Sequence, residues 1–153
     1  MSFRFKILAV FIIGFLFLFL PAANAAVLTL GPSGGSFSVG STFDVSLFLN
    51  TEGESINVIE AALSFPADKL QLVSPSTGKS IISVWTAPPT FNNQTGRINL
   101  QGGIPGGIKV SNGLFTVLTF RVKGVGNAIL KFLDETKVLL KIFHSGSFTL
   151  PTT

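Results

Sequence analysis

Hydrophobic and polar residues alternate with period two along most of this chain, in short runs rich in Val, Ile, Thr and Phe. Successive side chains of a strand point to opposite faces, so this alternation marks strands with one buried face. The runs recur every 8 to 14 residues and are separated by Gly, Pro, Ser and Asn clusters, the punctuation of an all-β chain. They predict strands at 27–30, 42–49, 56–65, 70–74, 81–85, 97–101, 114–123, 127–132 and 137–142, with a last one at 147–150. Pro66 lacks a backbone donor and ends the run before it. Pro88-Pro89 and the stretch Gly102-Gly103-Ile104-Pro105-Gly106-Gly107 are expected to break the chain in the same way, the second as a mobile or tightly turned loop. Helix is expected only as single turns at 66–69 and 134–136.

The same alternation assigns faces. Ile59, Ala61, Leu63 and Phe65 are expected to point inward, with Val58, Glu60, Ala62 and Ser64 outward. A second inward row is Leu114, Thr116, Leu118, Phe120 and Val122, which leaves Phe115, Val117, Thr119 and Arg121 outside. Two sheets packed through such rows make a sandwich, and about nine short strands suit a jelly roll.

One segment departs from this pattern. Residues 1–25 read as an export signal, with Arg4 and Lys6 as the positive start, an apolar run at 7–20, and Ala23-Asn24-Ala25 as a small-residue cleavage pattern. The apolar run has 14 residues, whereas a bilayer-spanning helix needs roughly 20. Cleavage after Ala25 is therefore expected, and the chain would contact a membrane only through this segment if it were kept as an anchor. Residues 26–153 then form one exported domain, large enough to bury a core.

Composition narrows the chemistry. There is no cysteine, which excludes disulfides, thiolate nucleophiles and sulfur-ligated metals. Without Arg4 and Lys6, nine basic residues face seven acidic ones, so the balance points to no polyanion, and no basic stripe with stacking aromatics suggests nucleic acid. No cofactor is implied. Enzyme chemistry would have to draw on one histidine and seven carboxylates, with no tyrosine. His144 lies in a Ser/Gly-rich stretch where a solvated side chain is the common case. Glu52 with Glu54, and Asp134 with Glu135, sit in expected turns, and neither makes the facing carboxylate pair that glycoside hydrolysis needs. Asp44 and Glu60 fall on strands whose mutual approach the sequence leaves open. The acidic residues are too scattered for a hard-cation site. The glycine-rich stretch at 102–107 lacks the lysine and helix of a P-loop. Asn93-Gln94-Thr95 fits the N-glycosylation acceptor pattern.

Several segments together resemble cohesin domains. Gly34-Gly35-Ser36-Phe37-Ser38-Val39-Gly40-Ser41-Thr42-Phe43-Asp44-Val45 is similar to their opening, where a glycine precedes a strand of alternating Val and Phe. Ile56-Asn57-Val58-Ile59-Glu60-Ala61-Ala62-Leu63-Ser64-Phe65, followed by Asp68-Lys69-Leu70-Gln71-Leu72-Val73, resembles the strand that leads through an Asp-Pro turn into the next. Gly113-Leu114-Phe115-Thr116-Val117-Leu118-Thr119-Phe120-Arg121-Val122 resembles the long strand near the family's end, with Gly126-Asn127-Ala128 as the small-residue turn after it. The turn Phe65-Pro66-Ala67-Asp68, the loop 83–94 and the ending Phe143-His144-Ser145-Gly146 depart from the family.

The resemblance implies a nine-stranded jelly-roll sandwich without catalytic activity. It would be secreted or surface-located and would hold a dockerin-type protein in an extracellular assembly that degrades polysaccharide. This chain has none of the paired Asp-x-Asn-x-Asp-Gly loops of a dockerin, so it does not supply its own ligand. The partner-facing residues implied are the outward Glu60, Asn99, Gln101 and Arg121, taken as one flat sheet face. An alternative is direct polysaccharide binding. Sugar rings stack on exposed aromatics, and Trp85 and Phe91 bracket Pro88-Pro89 in an expected loop. A surface or adhesive structural domain without soluble ligand is a third reading.

Overall fold

Alternation becomes architecture through two antiparallel sheets. The computed structural model describes residues 26–140, so the expected export signal, the strand at 147–150 and His144 lie outside the described residues. Nine strands follow one another: β1 (Val27–Gly31), β2 (Thr42–Asn50), β3 (Ile56–Ser64), β4 (Leu70–Ser76), β5 (Val84–Asn92), β6 (Arg97–Ile108), β7 (Gly113–Val122), β8 (Lys131–Phe132) and β9 (Lys137–Leu140). One sheet has the order β1-β2-β7-β4; the other runs β5-β6-β3-β8, with β9 also pairing with β3. The described residues contain no helix, and the expected single turns at 66–69 and 134–136 are hydrogen-bonded turns closed by Leu70 N–H to Pro66 O and Thr136 N–H to Leu133 O. The fold is the all-β jelly-roll sandwich that the sequence predicts.

The core is the layer between the sheets. Val45, Leu47 and Leu49 of β2, Leu70 and Leu72 of β4, and Leu118, Phe120 and Val122 of β7 meet Ile59, Ala61 and Leu63 of β3 and Ile98, Leu100 and Ile104 of β6. Each fully buried large aliphatic or aromatic side chain contributes about 1.5–3 kcal/mol. Near one end of this layer, aromatic rings continue the packing: Phe65 meets Phe120 edge-on at 5.3 Å, Phe120 stacks on Phe43, and Phe43 stacks on Phe37 at 4.0 Å.

Bulges shift several expected positions. In β7 the partner of Leu47 is Thr116 while that of Phe48 is Leu114, so one extra residue is inserted and Phe115 and Thr116 both point inward. Phe115, expected outside, is fully buried, and Leu114, expected inside, is only half-buried. Ala62, also expected outside, is buried beneath the β8–β9 connection, whose Leu133 N–H and Thr136 hydroxyl both bond to Ala62 O.

Strand ends move as well. Pro88-Pro89 does not break the chain but lies inside β5, an edge strand with two register shifts against β6. An edge tolerates proline because the missing N–H faces away from the ladder. The glycine-rich stretch is not a loop either, since β6 continues through it to Ile108. Gly102 faces the core, and a Cβ there would lie 2.5 Å from Ile82, which fills that space. The run expected at 127–132 forms a strand only at Lys131–Phe132.

Candidate functional site

The register of the second sheet organises its outer face into transverse rows. Gln101 of β6 pairs with Glu60 of β3 and Ala87 of β5, and Glu60 pairs on its other side with Lys137 of β9. Asn99 pairs with Ala62 and Thr90, and Arg97 with Ser64 and Asn92. In the opposite direction along the strands, Gly103 pairs with Val58 and Val84, and Val58 pairs with Leu139. The face therefore grades from an aliphatic row through a mixed polar row to rows rich in amide and guanidinium groups.

Side-chain bonds fix the polar part. Gln101 Nε2 donates to Glu60 Oε1 at 2.8 Å, and Arg97 donates through Nε to Asn99 Oδ1 at 3.2 Å and through Nη2 to Glu135 Oε1 at 2.9 Å. The hydrogen bond from the Arg97 guanidinium, then a backbone bond, and least of all the Arg97 charge, hold the Glu135 carboxyl below the ordinary glutamate value. Glu135 reaches this position because the β8–β9 connection is tied down. The Thr136 hydroxyl accepts from Ala62 N–H at 3.1 Å and donates to Ala62 O at 3.0 Å, replacing the missing ladder bonds of the interrupted strand. Glu60, Asn99, Gln101, Arg97 and Glu135 line an open depression of about 300 Å³, walled on the β5 side by Pro88 and Thr90.

Three of the four residues expected to form a partner face are thus brought together, namely Glu60, Asn99 and Gln101. Arg121 is not. It lies on β7, paired with Thr42 and Gln71 on the outer face of the other sheet, so the four do not share one surface. The reason is topological, because β7 has the same alternation as β3 and β6 but pairs between β2 and β4. The aliphatic row, and the contributions of Arg97, Glu135 and Lys137, escaped the sequence reading because they depend on register across strands far apart in the chain.

The aromatic pair also sits differently from expectation. Trp85 and Phe91 are on strand β5 rather than in a loop, paired with the core-facing positions Gly102 and Ile98. Trp85 stacks on buried Phe115 at 5.6 Å and packs against the core, while Phe91 remains 40% exposed at the edge. Asp44 and Glu60 occupy the outer faces of opposite sheets, and Asp44 accepts a bond from the Thr119 hydroxyl at 2.7 Å. The turn acid Glu52 bonds with Asn50. Asn93 has its side-chain amide occupied by Leu72, donating to Leu72 O at 3.0 Å and accepting from Leu72 N–H at 2.8 Å. Among the described residues no group of three or more His, Cys, Asp or Glu could hold a metal ion.

Comparison with known proteins bears on the fold. No protein-family model and no curated protein matches the chain. Solved structures do match in fold. The cohesin CaCohA2 of Clostridium acetobutylicum superposes with a TM-score of 0.61 at 16% identity, over 74% of this chain and 78% of that one. The Coh-OlpA-Doc918 type I cohesin-dockerin complex of Clostridium thermocellum gives 0.58 at 13% identity, over 74% and 83%. The third cohesin of ScaC from Acetivibrio cellulolyticus, in complex with the ScaB dockerin, gives 0.57 at 20% identity, over 66% and 77%. The chain has the cohesin-like fold.

Proposed function

We propose that this chain is an exported, non-catalytic binding module that holds a dockerin-type protein on the outer face of the β5-β6-β3-β8/β9 sheet. The observation that carries the proposal is the bonded Glu60–Gln101 pair at the centre of that face, with Asn99 and Arg97 beside it. A pre-organised sheet surface with fixed polar groups suits protein recognition, since little side-chain entropy remains to be lost on binding. Cohesins of the same fold were solved in complex with dockerins, which supports the choice of partner class. An extracellular site of action rests on Arg4, Lys6, the apolar run at 7–20 and Ala23-Asn24-Ala25. An assembly that degrades polysaccharide is the setting proposed for it.

Direct stacking of sugars on Trp85 and Phe91 has thinner support, because of these two rings Trp85 is engaged with Phe115 and Phe91 alone is left exposed at the edge. The test is binding of the full chain to a panel of calcium-loaded dockerin modules, with insoluble polysaccharide as a parallel bait. Saturable dockerin binding supports the proposal; retention on polysaccharide with no dockerin bound overturns it.

A further inference from the structure

We infer that Phe37 is a stacking platform for the pyranose rings of a neutral polysaccharide, a second site at one end of the sandwich and separate from the β5-β6-β3-β8/β9 face. Its ring lies 4.0 Å from that of Phe43, with 9° between the two planes, and is still 45% exposed. Phe43 covers one face of the ring, so the exposure belongs to the opposite face and the rim. Half-buried Phe43 stacks in turn on fully buried Phe120, so the platform rests on the core through two further rings. Gly35 packs at the far edge, where a Cβ would stand 2.6 Å from Phe37 Cζ. A ring backed on one face and bordered at its edge is oriented before a ligand arrives, which lowers the entropy lost on binding.

The surroundings of the ring select the occupant. From Pro32 to Phe43 the chain carries no charged residue; apart from Phe37, Val39 and Phe43 it is all glycine, serine, threonine and proline. Residues 32–40 are exposed, and the peptide groups of residues 33–37 form no hydrogen bond among the described residues. A flat apolar surface is thus set among uncharged donors and acceptors. A pyranose with equatorial hydroxyls has the complementary form, an apolar C–H face for the ring and a rim of hydroxyls for the neutral polar groups. An anionic lipid surface is the poorer fit, since apolar contacts with membranes are flanked by basic residues and this segment has none. Access is open as well. The described chain begins and ends at the opposite end of the sandwich, where Val27 pairs with Asn50 and Leu140 with Ile56, whereas Ser41 and Val122 are bonded at this end.

The test titrates the full chain with cellohexaose, xylohexaose and chitohexaose and follows its backbone amide resonances. At least one of these sugars is expected to shift the resonances of residues 35–39 and 43, with the millimolar affinity of a single stacking contact. Phe37→Leu keeps an apolar cover over Phe43 but removes the flat ring; it should weaken sugar binding about fivefold or more while the melting temperature changes little. Phe37→Trp should bind at least as well as the original chain. Gly35→Ala, which pushes the ring from its seat, should bind less well, and Phe91→Leu should bind unchanged. Absence of shifts with all three sugars, shifts centred on Phe91, or undiminished binding by Phe37→Leu overturns the inference. So does a response of the same resonances to phosphatidylglycerol vesicles and to none of the sugars. Dockerin binding is read separately: Phe37→Leu should retain it, and its loss in that variant would place Phe37 in a protein interface and overturn the sugar platform. Sugar binding through Phe37 by a chain that binds no dockerin supports this site and overturns the dockerin reading alone.

Discussion

The Asn93 side chain pairs with the Leu72 backbone as a peptide group of a neighbouring strand would, donating from Nδ2 to Leu72 O at 3.0 Å and accepting from Leu72 N–H at 2.8 Å. Leu72 belongs to β4, the outermost strand of its sheet, and Asn93 follows β5, the outermost strand of the other. The amide therefore joins the two sheets along one side of the sandwich and occupies an edge that would otherwise be open to pairing with another chain.

Asn93→Ala should lower stability by about 1–3 kcal/mol, the range for leaving buried backbone groups unpaired. Urea denaturation checks this, and the slope with denaturant should stay the same. The same bonds predict poor glycosylation of Asn93 in a host with the machinery, because its nitrogen is already engaged.

Thr136 performs an equivalent substitution for a peptide at Ala62, with bonds of 3.1 and 3.0 Å. Thr136→Val keeps the shape and removes both bonds, at an expected cost of about 1–3 kcal/mol. Thr136→Ser should restore most of it. Because the Ala62 N–H donates to this hydroxyl, its hydrogen exchange should rise in the valine variant.

Gly96 closes the β5–β6 hairpin with φ of 66°, and a Cβ there would stand 1.9 Å from the carbonyl oxygen of Phe65, whose N–H donates to Gly96 O just beyond the end of β3. Left-handed backbone and direct collision with a carbonyl act together, so Gly96→Ala should destabilise the chain by more than about 1 kcal/mol, whereas an unstrained glycine replacement would stabilise it. Thermal unfolding of the variant against the original chain checks it.

Trp85 is the only tryptophan in the chain and lies against Phe115. Its emission should be blue-shifted in the folded protein and move to the red on unfolding. Phe115→Ala should cost about 3–5 kcal/mol, as for a buried aromatic truncated in a core. It should also shift the native emission, a response that a tryptophan in a solvated loop would not give.

The Arg97–Glu135 pair gives a signed dependence on pH. With the Glu135 carboxyl held below its ordinary value by Arg97, the stabilisation is complete above the usual glutamate range and fades as pH falls through the lowered value. Solvent exposure keeps the effect small. The melting temperature of the original chain should fall more steeply on acidification below about pH 4.3 than that of Glu135→Gln.

Most of the fold was legible because strand alternation is local. Ile59, Ala61 and Leu63 point inward as period two requires, and Pro66 ends its run. What escaped depended on distant partners. The bulge at Phe115 is set by pairing with β2, and β5 accepts Pro88-Pro89 because no strand among the described residues pairs with its outer side. Glu60 and Gln101 were legible as outward polar positions, and their bond is a consequence of register. Arg121 has the same local pattern as they do, so only sheet order separates it from them.

Binding of a calcium-loaded dockerin by the full chain, compared with Glu60→Ala/Gln101→Ala and with Arg121→Ala, tests the central claim most directly. The account predicts saturable binding that the double substitution weakens about tenfold or more and that Arg121→Ala leaves intact. Binding lost with Arg121 and kept without Glu60 and Gln101 would place the partner on the other sheet and contradict it.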